Sequence, residues 1–319
     1  MNSRGLLVAV VVLAALTGVL YWSQHRKPPE NTAVSANTAP SILKVNMPDV
    51  TELEIKNRGT EPVTLKKTGD KWEITEPKPY PADQDAVIGV LSSLSYLNTD
   101  RVVEDKAADR KQYGLDSPAA ELEITQKGKG TQELLLGDDT PAGGDVYAGV
   151  AGDPRVFTIA SYNKTSLDKS LNDLRDKSLI SLNPDKVSRV DLVQKGKTIE
   201  FDRTKDGWQI LKPSSSPADG NAVNDLVHSV TSARMDLTAN DASADFAHGI
   251  PVASARLTGD TGTQTLDVRK DKNDYYAKSS LVDGVYKVDP SVGQALEKKL
   301  EDFQQKKPAL ASAAGKPAR

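Results

Sequence analysis

The sequence predicts an α+β protein: two tandem copies of one module, each of antiparallel strands with a mid-module helix and a closing helix, behind an N-terminal transmembrane helix. Three observations lead there. Residues 6–22 form an uncharged apolar run, residues 71–87 recur without a gap as 207–223, and within each copy the apolar spacing switches from two residues to about 3.6 after a Pro-Ala-Asp triplet.

The run LLVAVVVLAALTGVLYW is preceded by Arg4 and followed by His25, Arg26 and Lys27. As a helix it extends about 26 Å, and a few flanking residues carry it across a hydrocarbon core of roughly 30 Å. Tyr21 and Trp22 fall at the level of an interfacial aromatic belt. A cleaved signal peptide is the competing reading, but its apolar core is shorter, about 7 to 15 residues, with a small-x-small site close behind. The nearest such pattern, Val34-Ser35-Ala36, lies far downstream. We therefore expect a short tail at 1–5 and an uncleaved anchor at 6–22. The basic flanks are balanced, so orientation rests on the short N-terminal tail, which favours a single-pass inner-membrane protein with an extracytoplasmic, periplasmic body. Residues 23–44, rich in Pro, Asn, Thr and Ala, read as a flexible tether, and 307–319 as a disordered tail.

Between those ends the repeat is the strongest signal. Trp72 matches Trp208, Pro77 matches Pro213, Pro81 matches Pro217, Asp83 matches Asp219 and Val87 matches Val223, all at one offset. With small deletions the match passes Gly114-Leu115 against Gly249-Ile250, 130–132 against 262–264, and Tyr147-Ala148 against Tyr276-Ala277. It ends with Leu167, Leu171 and Leu174 against Leu296, Leu300 and Phe303. Two modules, 45–180 and 181–306, account for nearly the whole body.

Each element of the first copy follows from its spacing. Alternation in 50–55 and 63–65, continued by Trp72 and Ile74, predicts a meander, with Gly69-Asp70 at a hairpin turn. Ala86, Val87, Val90, Leu91 and Leu94 share one helical stripe, and Asp83 is placed to cap that helix. A second strand set is predicted around Leu122 and Ile124, Leu134 and Leu136, 146–150 and 156–159. A closing helix is predicted over 161–175, its leucines at i, i+4 and i+7. The repeated Asp83 and Asp219 could form a carboxylate pair, but capping accounts for both. Trp72 and Trp208 could line a pocket, but a large aromatic on a strand's buried face is usually core.

Composition then narrows the chemistry. Three of the 41 Lys and Arg flank the anchor, which leaves a body outnumbered by its 44 Asp and Glu, unlike a phosphate-binding surface. The absence of cysteine removes disulfides, thiolate nucleophiles, sulfur-ligated zinc and a lipid-bearing cysteine. His25, His228 and His248 are too few and too scattered for an imidazole metal site. Asp138-Asp139, and Asp241 with Asp245, lack the spacing of a calcium loop and read as solvated turns. No G-x-S-x-G elbow or Walker loop occurs; the run 137–144 contains glycines but is acidic, which suits a hairpin loop.

The segment WEITEPKPYPADQDAV, YGLDSP at 113–118, the VYAGV and VFTI strands and LRDKSLISL at 174–182 resemble the bacterial family called domain of unknown function 4340. That resemblance implies a membrane-anchored bacterial protein, in some members beside an ABC transporter and an auxiliary protein of the gliding-motility type. It supplies no catalytic residue. The second copy departs from it, with His248-Gly249-Ile250-Pro251 in place of YGLDSP.

The expectation is a membrane-anchored extracytoplasmic binding or assembly protein, not an enzyme, without catalytic, cofactor-binding or metal residues and without cofactors. Its expected partner is a membrane complex of the ABC-transporter type, with no nucleic acid. The alternative is an envelope polysaccharide or peptide hydrolase using carboxylates.

Overall fold

The computed structural model describes residues 41–238 and 242–305. The expected anchor at 6–22 and the tail at 307–319 lie outside them. Among the described residues no helix is long and apolar enough to cross a membrane. Contacts divide the chain into two compact units, with the division between Leu174 and Arg175.

In the first unit a meander of β1 (Val50–Asn57), β2 (Val63–Thr68), β3 (Lys71–Glu76) and β4 (Tyr80–Pro81) leads into helix α1 (Gln84–Ser95). After β5 (Arg101–Glu104) comes a second run of β6 (Ala120–Gln126), β7 (Gly130–Asp139), β8 (Asp145–Val150) and β9 (Val156–Ala160). Two short helices follow, α2 (Ser161–Leu167) and α3 (Leu171–Leu174). All ladders are antiparallel, in one nine-stranded sheet ordered β4-β3-β2-β1-β6-β7-β8-β9-β5.

The second unit repeats this plan. Strands β10 (Arg189–Gln194), β11 (Lys197–Thr204), β12 (Gly207–Lys212) and β13 (Ser216–Pro217) precede helix α4 (Gly220–Thr231). Helix α5 (Ser243–His248), strands β14 (Ile250–Gly259), β15 (Gly262–Asp271), β16 (Asp274–Ser279) and β17 (Tyr286–Val288), helix α6 (Pro290–Leu296) and a 3-10 turn Leu300–Phe303 complete it. Its eight-stranded sheet runs β13-β12-β11-β10-β14-β15-β16-β17, the first order without its last strand. Where β5 lies in the first unit, the second keeps one bridge, Asp236 to Lys287. The expected α+β duplication is therefore present in these two sheets and their few helices.

Matched residues do matched work in the two cores. Val87, Val90, Leu91 and Leu94 of α1 bury against Leu53, Ile55, Leu122 and Ile124, while Val223, Leu226, Val227 and Val230 of α4 bury against Val190, Leu192, Ala255 and Leu257. The hairpin bulges recur at Thr64/Leu65 and Glu200/Phe201, and the peptides Glu76-Pro77 and Lys212-Pro213 are both cis. Gln132 and Gln264, third in the repeated Gly-Thr-Gln, hold the incoming chain of their own units. Lys44 N–H donates to Gln132 Oε1 at 3.3 Å, and Ser181 N–H to Gln264 Oε1 at 2.8 Å.

Two boundaries differ from the sequence reading. The tether was expected to run to 44, yet Leu43 is buried in the first core and Ile42 N–H donates to Leu97 O at 3.2 Å. Leu179 and Ile180, placed by the sequence in the first module, belong to the second core, where Leu179 N–H donates to Ala233 O at 3.0 Å. Each module thus opens with an extended segment whose few apolar residues are too short a run to show a period.

The continuous closing helix over 161–175 is corrected. It breaks at Asp168, whose ψ of 71° is not helical, and restarts after Ser170, whose N–H donates to Asp173 Oδ2 at 2.9 Å. In the second unit Lys299 N–H donates to Asp302 Oδ2 at 2.8 Å. In both places an aspartate three residues on accepts from the backbone N–H that opens a new turn, and Leu167 and Leu174 stay buried across the break, so the apolar period does not register it. Helix α5 and strand β5 were not anticipated.

Candidate functional site

The repeated aspartates and tryptophans are scaffold. Asp83 accepts from Ala86 N–H at 3.0 Å, and Asp219 from Asn221 N–H at 3.0 Å and Ala222 N–H at 3.2 Å; both are helix caps. Trp72 and Trp208 are each 5% exposed and sit in their own cores. Trp208 Nε1 donates to Asn224 Oδ1 at 2.9 Å. In the first module Gln84 instead clasps the Trp72 backbone, its Oε1 accepting from Trp72 N–H and its Nε2 donating to Trp72 O, both at 2.9 Å.

His228 and His248 are exposed and not brought together. Asp139 pairs with Lys164 at 3.1 Å, and Asp138 lies 3.6 Å from Arg58. The run 137–144 splits between the end of β7 and a turn into β8. Asp241 lies outside the described residues, whereas Asp245 accepts from Tyr276, whose hydroxyl is pushed up to about 12 by burial first and by that bond second. Among the described residues there is no group of three or more His, Asp and Glu placed to hold a metal.

The concave feature that the duplication preserves is a groove between the first hairpin, the loop after the cis-proline, and the end of the closing helix. In the first module it holds about 300 Å³ between Ile55, Asn57, Val63, Pro77, Lys169 and Leu171. In the second it is larger, about 870 Å³, and Gln194, Ile199, Pro213 and Leu300 occupy corresponding positions. One polar residue holds each groove's helical side. Asn57 Nδ2 donates to Lys169 O at 3.2 Å, and Gln194 Nε2 donates to Lys298 O at 2.9 Å and also to Leu296 O.

The two grooves differ in chemistry. Ile250, Pro251 and Val252 add an apolar wall to the second, with Ile250 73% exposed. Four lysines (195, 197, 270 and 299) and two glutamates (297 and 301) stand around it. Lys270 Nζ donates to the Tyr275 hydroxyl at 2.9 Å, and that hydroxyl donates to Glu297 Oε1 at 3.0 Å. The Tyr275 bond, with Glu297 behind it, holds the Lys270 ammonium above its usual range. In the first module Glu61 stands at the place of Lys197, Ser170 at that of Lys299 and Val146 at that of Tyr275; β7 ends in Asp138-Asp139 where β15 carries Lys270.

The matched positions of the repeat carry no sign of the contrast between the two grooves. Its signal is the mismatched ones, where lysine, tyrosine and isoleucine in one copy replace acid, serine and valine in the other.

Fold and groove together define a tandem α+β body with an equivalent recess in each module. The model of the family described as domain of unknown function 4340 matches residues 72–251 and again 208–315, and the chain belongs to that family. The two matches begin at Trp72 and Trp208, equivalent residues of the repeat. No curated protein and no solved structure matches the chain.

Proposed function

We propose that the protein is a membrane-anchored, extracytoplasmic binding or assembly protein without catalytic activity, an accessory to an ABC-type transporter. The observation that carries the binding part is the duplicated groove: duplication kept the recess in both modules while its walls diverged in size and charge. Pro77 with Pro213 and Leu171 with Leu300 stayed matched in the recess, while its charged residues did not, Glu61 and Ser170 standing where the second module has Lys197 and Lys299, as happens when one frame is retained and its binding surface changes. The anchor at 6–22 and the tether before the first module support a place at the membrane. The transporter partner rests on the family resemblance.

Within the second groove the hydrolase alternative would draw on Glu297 and Glu301, and Glu297 is bonded to Tyr275 and ion-paired with Lys270 at 3.5 Å.

Affinity purification of the full chain from solubilised membranes tests the assembly role. It should bring down transporter subunits reproducibly; recovery of the chain alone would overturn the reading. A reporter active only outside the cytoplasm, fused to the C-terminus, should be active. Silence from a stably expressed fusion would reverse the orientation.

A further inference from the structure

The second groove pairs an apolar wall with unpaired cations. Ile199, Pro213, Ile250, Val252 and Leu300 line it, while Lys195, Lys197 and Lys299 stand at its edge. Among the described residues none of these three lysines is in an ion pair; Lys270 is held by Glu297, and Glu301 offsets only part of the remaining charge. A volume of about 870 Å³ falls in the range of roughly 300 to 1,000 Å³ typical of small-ligand sites. A wholly apolar ligand would leave the exposed ammonium groups at the edge without a counter-charge, and a polyanion would leave the apolar wall wet.

We propose that this groove binds a single-chain amphipathic carboxylate, a free fatty acid. Its alkyl chain lies along Ile199, Val252, Ile250 and Leu300, and its carboxylate sits among Lys195, Lys197 and Lys299. The proposal rests on the groove being the protein's binding element. The groove's lysines call for an anionic occupant, whereas the side chains of residues 306–319 carry Lys306, Lys307, Lys316 and Arg319 and no Asp or Glu. The first groove is a built-in control, at about 300 Å³ and with Glu61 and Ser170 where the second has Lys197 and Lys299.

The test is photolabelling of the full chain with diazirine-bearing dodecanoic acid, read by peptide mass spectrometry. Adducts should fall on the peptides carrying residues 250–252 or Leu300, and unlabelled dodecanoate should displace them. Decanoate should compete about fifteenfold less well, because each of the two missing methylenes is worth roughly fourfold in affinity. Dodecanol should also compete at least tenfold less well. The double variant Lys197→Glu/Lys299→Glu should lose at least tenfold in labelling with unchanged circular dichroism; Lys197→Gln/Lys299→Gln serves if reversal disturbs folding. Lys195 is left alone because its φ of 46° would mix turn strain into the result.

Equal adducts in both grooves, variants that label like the parent, or displacement by an acidic peptide but not by dodecanoate would each overturn the proposal, the last in favour of a protein ligand. Recovery of transporter subunits without specific labelling would sink this inference and leave the assembly role standing. Labelling without subunits would do the reverse.

Discussion

The backbone N–H of Asp83 donates to the carbonyl of Leu174 at 2.8 Å, and the N–H of Asp219 donates to the carbonyl of Phe303 at the same distance. One residue thus starts the mid-module helix with its side chain and latches the end of its module with its backbone. Because the latch uses only the backbone, Asp83→Ala and Asp219→Ala should each remove the cap alone, about 1 kcal/mol by chemical denaturation. A loss several times larger would mean that the side chain also holds the latch.

Truncating Trp72 or Trp208 to alanine should destabilise the corresponding module by about 3 to 5 kcal/mol, since each indole fills a core position. The two should differ on replacement by phenylalanine. Trp208→Phe loses the Nε1–H bond to Asn224 Oδ1, whereas Gln84 holds the Trp72 backbone and keeps its bonds in Trp72→Phe. Denaturant melts of both variants check this; equal losses would contradict it.

Gly293 lies in α6 against the ring of Tyr275, and a Cβ there would come within 1.9 Å of Tyr275 Cδ1. Glycine to alanine in a helix ordinarily gains about 1 kcal/mol. Here Gly293→Ala should instead cost about 1 to 3 kcal/mol by overpacking. The first module has Lys164 and Val146 at these two places. Gly293→Ala combined with Tyr275→Val should therefore recover part of the loss, measurable as a coupling energy in a double-mutant cycle.

Acid should weaken the second module through Glu200. Lys212 donates to its carboxylate at 2.6 Å, Arg189 lies 3.2 Å away, and the Lys212 bond first among these holds the carboxyl below its ordinary value of 4.5. A folded-state pKa lower than the unfolded one stabilises fully above that ordinary value and loses its contribution as pH falls through the lowered one. Melting temperatures followed from neutral to strongly acid pH should decline in that window, and Glu200→Gln should flatten the decline.

The architecture was legible wherever periodicity met repetition. The spacing of Val87, Val90, Leu91 and Leu94 announces α1, and Trp72 with Ile74 gives the buried face of β3. The break at Asp168 was hidden because Leu167 and Leu174 remain in helical phase across it. The groove was hidden for a different reason. Its lining comes from residues as far apart in sequence as Ile199 on β11, Val252 on β14 and Leu300 on the closing 3-10 turn, each unremarkable locally.

The central claim is that one module was duplicated around equivalently buried indoles. Acrylamide quenching of two single-tryptophan proteins tests it: Trp22→Phe/Trp208→Phe reports on Trp72, and Trp22→Phe/Trp72→Phe on Trp208. Both should quench several-fold more slowly than the same proteins in guanidinium, and to a similar degree, as their equal exposure of 5% requires. Quenching of either indole as fast as in the unfolded chain would contradict the claim.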